Sequence, residues 1–255
     1  MTLVPLLIKG LLAGVIVGFV TASIKSWVDR FFLVILLVSI VSLPIQDAVV
    51  INLIVIALAA LMLALRQWQV LNSVREEWLR IILPSILGGV LGRLLALQTN
   101  GPVILVVLGV YAILVGVRLV LIKPMPERET KGHPNWLAPV AFLGGGLTGF
   151  LSADGKPFKV PVYNWILGHQ PQRAYAMASV GVSVAAWSAL TAQIAVGQPI
   201  PAGDLELAVY EFIIITLVAL GIERIWTPRL NQIVTWIVAP ILVLVGIRFI
   251  LLGMA

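Results

Sequence analysis

GVIVGFVTASIK (Gly14 to Lys25) aligns without a gap over GGLTGFLSADGK (Gly145 to Lys156), and this pair of stretches decides how the chain is organised. Two glycines, a phenylalanine and an alanine recur in step, and both stretches end on a lysine. Apolar helices often resemble one another by chance, but lysines at equivalent positions inside apolar sequence are harder to explain in that way. The chain is therefore predicted to contain an internal repeat.

The ends of the two copies agree as well. LVGVRLVLI at Leu114 to Ile122 matches LVGIRFILL at Leu244 to Leu252, and Pro44 stands at the place that Pro171 takes in the second copy. The predicted division is a first membrane repeat, a cytoplasmic linker and a second, inverted membrane repeat, at residues 1–122, 123–136 and 137–255.

The composition is that of an integral membrane protein. Of the 255 residues 60% are hydrophobic and only 11% are charged, far from the usual mix of a soluble domain. Apolar segments of the length that crosses a bilayer recur from one end of the chain to the other. The ten predicted segments are 3–24, 31–43, 48–65, 81–99, 102–122, 137–153, 158–168, 174–197, 208–226 and 232–253.

Two of these segments are too short to cross a membrane in the ordinary way. As helices, residues 31–43 and 158–168 would span only about 17 to 20 Å, against a hydrocarbon core of about 30 Å. Each is therefore predicted to be a half-helix that forms a broken helix or helical hairpin with the segment before it.

Positive charge in the loops predicts the orientation. The loops that hold lysine and arginine are 66–80, 123–136, 169–173 and 224–231, and the positive-inside rule places them in the cytoplasm. Threading ten segments on that basis puts both termini outside and runs the two copies in opposite directions. The expected fold class is an all-α polytopic protein of a prokaryotic cytoplasmic (inner) membrane, built as a 5+5 inverted repeat whose short segments meet near the midplane.

The residue content argues against several other classes of protein. The chain has no cysteine and two histidines, and it has neither a His-Glu-x-x-His helix nor a convincing Ser-His-Asp set. No cofactor or metal is expected, and an enzyme is not the expected function. The net charge of +6 sits at helix ends, facing lipid headgroups, rather than in a nucleic-acid surface. Self-association into a homo-oligomer stays open.

Inverted repeats place substrate sites near the midplane, at broken helices in corresponding positions of the two halves. Here those positions hold Lys25 and Lys156, and the backbone N–H groups that begin each following half-helix would face the same space. Such a site attracts an anion. The predicted substrate-binding residues are Lys25, Lys156, Thr21, Ser23, Ser152, Gly155, Asn52 and Ser179. Asp154, beside Lys156, is the predicted proton-coupling residue.

A different interpretation of the same charges is also open. If 31–43 and 158–168 are short full crossings, the neighbouring charges belong to solvated loops and the matching lysines reflect duplication alone. Lys159 and Arg30 are expected to lie at the membrane interface, because neither has a partner in the repeat comparison. The depth of Lys156 distinguishes the two interpretations.

The chain resembles the sulfite exporter TauE/SafE family over essentially its whole length. The motifs that carry the resemblance are glycine-spaced first helices, a Val-Pro pair, a proline before the next helix and a Leu-Gly-Gly-x-x-Gly run: Gly10, Gly14, Gly18, Gly145, Gly149, Val160, Pro161, Pro44, Pro171 and Leu87 to Gly92. Relatives follow the first helix with a run of glycines, whereas this chain has SADGK, which keeps only Gly155, and SIKSW, which has none.

The resemblance implies transport of sulfur-containing or other small organic anions. The expected function is a secondary transporter that moves sulfite, thiosulfate or an organosulfonate such as sulfoacetate by alternating access, linked to protons. A channel-like facilitator for other small anions is the alternative, and a membrane-embedded enzyme is the less favoured one. Export and uptake are not distinguished by one sequence.

Overall fold

The structure, a computed structural model, describes residues 3–24, 30–66, 68–121, 127, 129–130, 134–153 and 155–254. Within these ranges the regular backbone is helical, without a strand. Because intrahelical hydrogen bonds satisfy the backbone without water, this is the architecture expected of apolar segments in a bilayer. The all-α prediction is confirmed.

The α-helices of the described residues are α1 (Leu3–Ile24), α2 (Phe31–Leu36), α3 (Ile45–Arg66), α4 (Trp68–Asn72), α5 (Trp78–Gln98), α6 (Gly101–Leu121), α7 (Leu137–Leu151), α8 (Lys156–Pro161), α9 (Pro171–Ala195), α10 (Ala202–Ile225) and α11 (Pro228–Met254). Seven helices in this part of the chain are long and apolar enough to cross a membrane: α1, α3, α5, α6, α9, α10 and α11. The protein is thus a multi-pass membrane protein. The 5+5 inverted arrangement stays a prediction.

The two segments that were predicted to be short have the same build. The six-residue α2 continues into a five-residue π-helix, Leu37–Val41, and the six-residue α8 continues into a five-residue π-helix, Val162–Ile166. Each combined segment is about 16 Å long, half the thickness of a hydrocarbon core. Wide π turns are uncommon in helices and often occur at functional sites.

The chain forms two compact units. The first comprises Met1–Val55, Thr99–Ile122 and Ile200–Ala255, and the second comprises Ile56–Gln98 and Lys123–Pro199. Each unit therefore takes segments from both halves of the sequence. The predicted division at residues 1–122, 123–136 and 137–255 describes the sequence repeat and stays a prediction.

Close helix packing through glycine characterises the first unit. A Cβ atom added at Gly109 would lie 2.6 Å from the carbonyl oxygen of Gly246, and one added at Gly246 would lie 2.6 Å from that of Gly109. The backbones of α6 and α11 thus touch, as small residues allow in membrane helices. Side chains from the α10–α11 region bind the end of α1, where Trp226 Nε1 donates to Ser23 O and Asn231 Nδ2 donates to Ile24 O, both at 2.9 Å.

The second unit is centred on α5, α7 and α9. A Cβ atom added at Gly149 of α7 would lie 2.1 Å from the carbonyl oxygen of Gly89 on α5, so these two helices also pack backbone to backbone. Arg93 Nε of α5 donates to Gln193 Oε1 of α9 at 2.9 Å, and both side chains are buried. A side-chain partner of this kind satisfies a guanidinium that lies within an apolar helix.

Candidate functional site

The chain breaks between α7 and α8 at the stretch that the sequence comparison singled out. Ser152 has φ +49° and Gly155 has φ +64°, so the backbone turns through the left-handed region at both residues. Glycine adopts this conformation without a steric penalty, whereas serine does so at a cost. Both residues are buried, and Ser152 Oγ lies 2.7 Å from the carbonyl oxygen of Leu151. A solvated loop would leave these residues exposed, so their burial argues against the solvated-loop interpretation.

Lys156 is the first residue of α8 and is half-buried. Its Nζ atom lies 5.1 Å from the centre of the Tyr175 ring on α9. An ammonium at this distance is attracted by the face of an aromatic ring, which holds the side chain toward α9. Tyr175 was not among the predicted site residues, since nothing in its sequence context relates it to Lys156.

Lys159 is the more deeply placed cation, with only 4% of its surface exposed. Its side chain packs against α7 at Gly144, where an added Cβ atom would lie 2.3 Å from Lys159 Cδ and 2.8 Å from Nζ. A Cβ atom added at Gly155 would lie 3.4 Å from Lys159 Cε, and one added at Gly181 would lie 3.8 Å from Lys159 Nζ. Lys159 was expected at the membrane interface; the structure buries it inside the unit, where three glycines leave room for its tail.

A hydroxyl group shares the space beside Gly181 with this lysine. Ser85 Oγ of α5 lies 2.9 Å from the Cβ position of Gly181, close to the ammonium end of Lys159, and donates to Ala141 O at 3.3 Å. Ser179, two residues before Gly181 on α9, is 1% exposed, and its hydroxyl has no hydrogen-bond partner among the described residues. We refer to Gly144, Gly155, Lys159, Gly181 and Ser85 as the Lys159 cluster.

The predicted site residues of the first half lie in the first unit. Thr21 Oγ1 donates to the carbonyl oxygen of Val17 within α1. Ser23 is fully buried, and its hydroxyl lacks a hydrogen-bond partner within the described ranges. Asn52 of α3 is fully buried as well. Arg30, which was expected at the interface, is half-buried and donates to Val55 O at 3.3 Å.

Two predicted site residues, Lys25 and Asp154, lie outside the described residues, so their roles stay predictions. The break after α7 brings together Ser152, Gly155 and Lys156. Lys159 was set aside because it has no partner in the repeat comparison. Its spacing from Lys156 was the signal that could have found it, since residues three apart on a helix share a face.

Polar side chains form a cluster just after the π-helix that continues α8. His169 Nδ1 lies 2.9 Å from Glu129 Oε1, and Gln170 N donates to Glu129 Oε2 at 2.9 Å. Arg173, three residues after Gln170, forms an ion pair with Glu77. Burial alone would raise the pKa of Glu129, but the hydrogen bonds from Gln170 and His169 and the charges of His169 and Arg173 lower it below 4.5 overall.

The family model for the sulfite exporter TauE/SafE family matches residues 6–249. Neither the search of curated proteins nor the search of solved structures found a match. The family match covers nearly the whole chain and agrees with seven apolar helices in the described part. The chain therefore belongs to the sulfite exporter TauE/SafE family, a family of membrane transporters for sulfite-related anions.

Proposed function

We propose that the chain is a secondary transporter that moves sulfite or an organosulfonate such as sulfoacetate across the cytoplasmic membrane, by alternating access and with proton linkage. The observation that carries this proposal is the position of Lys159, a cation 96% removed from solvent on the short segment that follows the break. Lys156 lies three residues earlier on the same segment. Two cations on one short helix form a receptor for a small, doubly charged oxyanion.

The chemistry around the lysines suits oxygen-rich anions. Charge-assisted hydrogen bonds from ammonium groups to oxyanions are short and about twice as strong as neutral ones. Ser179 has a buried hydroxyl with no partner in the described part of the chain, and Ser152 and Gly155 line the adjacent turn. Sulfite and sulfonate groups carry three oxygens, so they can accept from an ammonium and from hydroxyl groups at the same time.

The first half contributes its own proposed contacts. Thr21 and Ser23 lie at the end of α1, directly before Lys25, and Asn52 lies on α3. We assign substrate binding to these residues by the sequence repeat, with Lys25 as the cation that corresponds to Lys156. The burial of Ser23 and Asn52 supports a role inside the protein rather than at its surface. Asp154 stays the sequence-based candidate for a coupled proton.

The proposed orientation follows the loop charges. Basic loops lie in the cytoplasm and both termini lie outside, in the inner membrane of a prokaryote. The cluster formed by Glu129, His169 and Gln170 would then stand at the cytoplasmic end of the segment made by α8 and the π-helix that follows it. Attachment of a cysteine-reactive label to single cysteines placed at positions 127 and 200, in intact cells, tests this orientation.

The decisive experiment is binding and flux in proteoliposomes with sulfite, thiosulfate and sulfoacetate, and with acetate as a carboxylate control. Lys159→Met keeps the apolar length of the side chain and removes its charge, so substrate affinity should fall by about 30-fold or more, the equivalent of about 2 kcal/mol. Lys156→Met should cost about three- to tenfold, because a half-exposed cation interacts more weakly.

Arg80→Met is the matched control, since it removes an exposed positive charge from the same unit and should leave affinity unchanged. Wild-type affinity in Lys159→Met would contradict the proposed anion site. Flux that never saturates and does not respond to a proton gradient would identify a channel instead of a transporter.

A further inference from the structure

The middle of α10 contains a buried acid. Between Leu207 and Ile222 the helix is apolar except for Glu211, Tyr210 and Thr216, and Glu211 is the only charged residue there. Its exposed fraction is 0%. An ionisable side chain inside a membrane-spanning helix is expensive and is usually present for function. The sequence alone carries this signal, which the repeat comparison does not detect.

The carboxyl group of Glu211 faces the glycine-lined side of α1. A Cβ atom added at Gly10 would lie 2.9 Å from Glu211 Oε1, and one added at Gly14 would lie 2.7 Å from Oε2. The two glycines therefore form the space that the carboxyl group occupies. Neither carboxyl oxygen has a hydrogen-bond partner among the described residues. In such surroundings a carboxylate loses its hydration without compensation, so the neutral, proton-carrying form fits best.

The charged and titratable groups around Glu211 do not neutralise it. Lys9 is the only titratable side chain of α1 between Pro5 and Ile24, and it forms no ion pair with Glu211 in the described structure. Tyr210, the neighbour on α10, donates its hydroxyl to Leu7 O at 3.2 Å. Other charges of the unit lie near helix ends, and those of α10 and α11 are Asp204, Glu206, Glu223, Arg224, Arg229 and Arg248.

We infer that Glu211, rather than the sequence-based candidate Asp154, carries the proton that is coupled to anion movement, an inference that rests on the proposed transport function. The carboxyl group can release its proton only when water reaches it, which requires α1 and α10 to separate at Gly10 and Gly14. Protonation is thereby linked to the packing of α1. Ser23, a proposed substrate contact, lies on the same helix, about 13 Å from Gly14 along the axis.

The step is a reversible proton transfer without covalent chemistry. The carboxyl group takes one proton from water on one side of the membrane, and α1 packs against the neutral side chain. On the other side the helices part, the proton returns to water and the carboxylate is hydrated. The proton's positive charge offsets one negative charge of the transported anion in each cycle.

The test uses the full-length protein with Glu211→Gln, which keeps the shape of the side chain and cannot release a proton. Accumulation of sulfite driven by a pH gradient should fall by about tenfold or more, whereas exchange of labelled for unlabelled sulfite should stay within about twofold of wild type, because exchange needs no net proton movement. Glu223→Gln, an exposed acid on the same helix, should behave as wild type in both assays.

Infrared difference spectroscopy gives a readout that does not need transport. A pH titration of the wild-type protein should show the C=O stretch of a buried carboxylic acid, and this band should be missing in Glu211→Gln. Gradient-driven accumulation at the wild-type rate in Glu211→Gln, or persistence of the band, would overturn the inference. Absence of all sulfite exchange in wild type would refute the proposed function, and the infrared band would still decide whether Glu211 exchanges a proton.

Discussion

The glycine faces of α1 and α7 resemble each other in sequence but are packed differently. On α7, Gly149 approaches the backbone of Gly89, with only 2.1 Å between the added Cβ position and the carbonyl oxygen. On α1, Gly10 and Gly14 face the side chain of Glu211. A contact between two backbones does not change with pH, whereas a carboxyl group between helices changes its interactions when it gains or loses a proton.

The two charged side chains of the proposed mechanism lie against different helices. Gly144, on a different side of α7 from Gly149, accommodates the tail of Lys159, and Gly10 and Gly14 of α1 accommodate Glu211. In the proposed mechanism, Lys159 beside α7 binds the anion, and Glu211 beside α1 carries the proton. This division suggests that substrate affinity and proton coupling can be altered independently by mutation.

The largest effect is expected for Gly149→Ala. The new methyl group would meet backbone atoms of Gly89 and Arg93, which cannot move away as a side chain can. Overpacking of this kind typically costs about 1–3 kcal/mol and can cost more, so we expect at least the upper end and a clear fall in melting temperature in detergent. Gly221→Ala is the control, since no described atom lies within 4 Å of its added Cβ position. Equal melting temperatures would contradict backbone-to-backbone packing of α5 and α7.

Next in size is Gly144→Ala, which tests whether α7 makes room for Lys159. The methyl group would lie 2.3 Å from Lys159 Cδ and would displace the lysine rather than the helix. We expect sulfite affinity to fall by about tenfold, or about 1.4 kcal/mol, in a protein that stays folded. Gly146→Ala on the same helix should leave affinity unchanged, because its nearest described atom is 3.9 Å away. Similar affinities for the two variants would show that the Lys159 cluster does not contribute to substrate binding.

A smaller effect on stability is expected for Gly14→Ala. The methyl group would press on Glu211 Oε2 and on the side chain of Ile214, both of which can adjust. We expect a loss of about 1 kcal/mol in stability. Proton-driven accumulation should fall while sulfite exchange persists, as for Glu211→Gln. An equal loss of both activities would show that α1 packing supports the whole fold rather than proton coupling.

The smallest effect concerns the pH dependence of stability through Glu129. Its pKa is lowered in the folded protein from 4.5, so its contribution is complete above pH 4.5 and is lost as the pH falls through the lower folded value. An interaction this exposed should contribute less than about 1 kcal/mol. Thermal melting of wild type and Glu129→Gln from pH 7 to pH 3 should show the difference between them shrinking below pH 4.5. A difference that grows with acidity would reverse the assignment.

Much of the fold could be read directly from local sequence. Apolar runs end at polar or proline-containing turns, so the segment predicted at 3–24 agrees with α1, and the one predicted at 102–122 agrees with α6 within a residue at each end. The break between α7 and α8 could be predicted because Asp-Gly-Lys-Pro is a sequence typical of turns. Length, hydropathy and turn residues act over a few neighbouring positions, and this is why they suffice.

The depth of individual charges needed the three-dimensional arrangement. Lys159 is buried because the missing side chains of Gly144 on α7 and Gly181 on α9 leave space for it, and Glu211 is buried because Gly10 and Gly14 of α1 do the same. These glycines are distant in sequence from the charges that they accommodate. A single sequence identifies the cations and acids of the chain, but whether each meets lipid, water or a glycine face depends on which helices pack together.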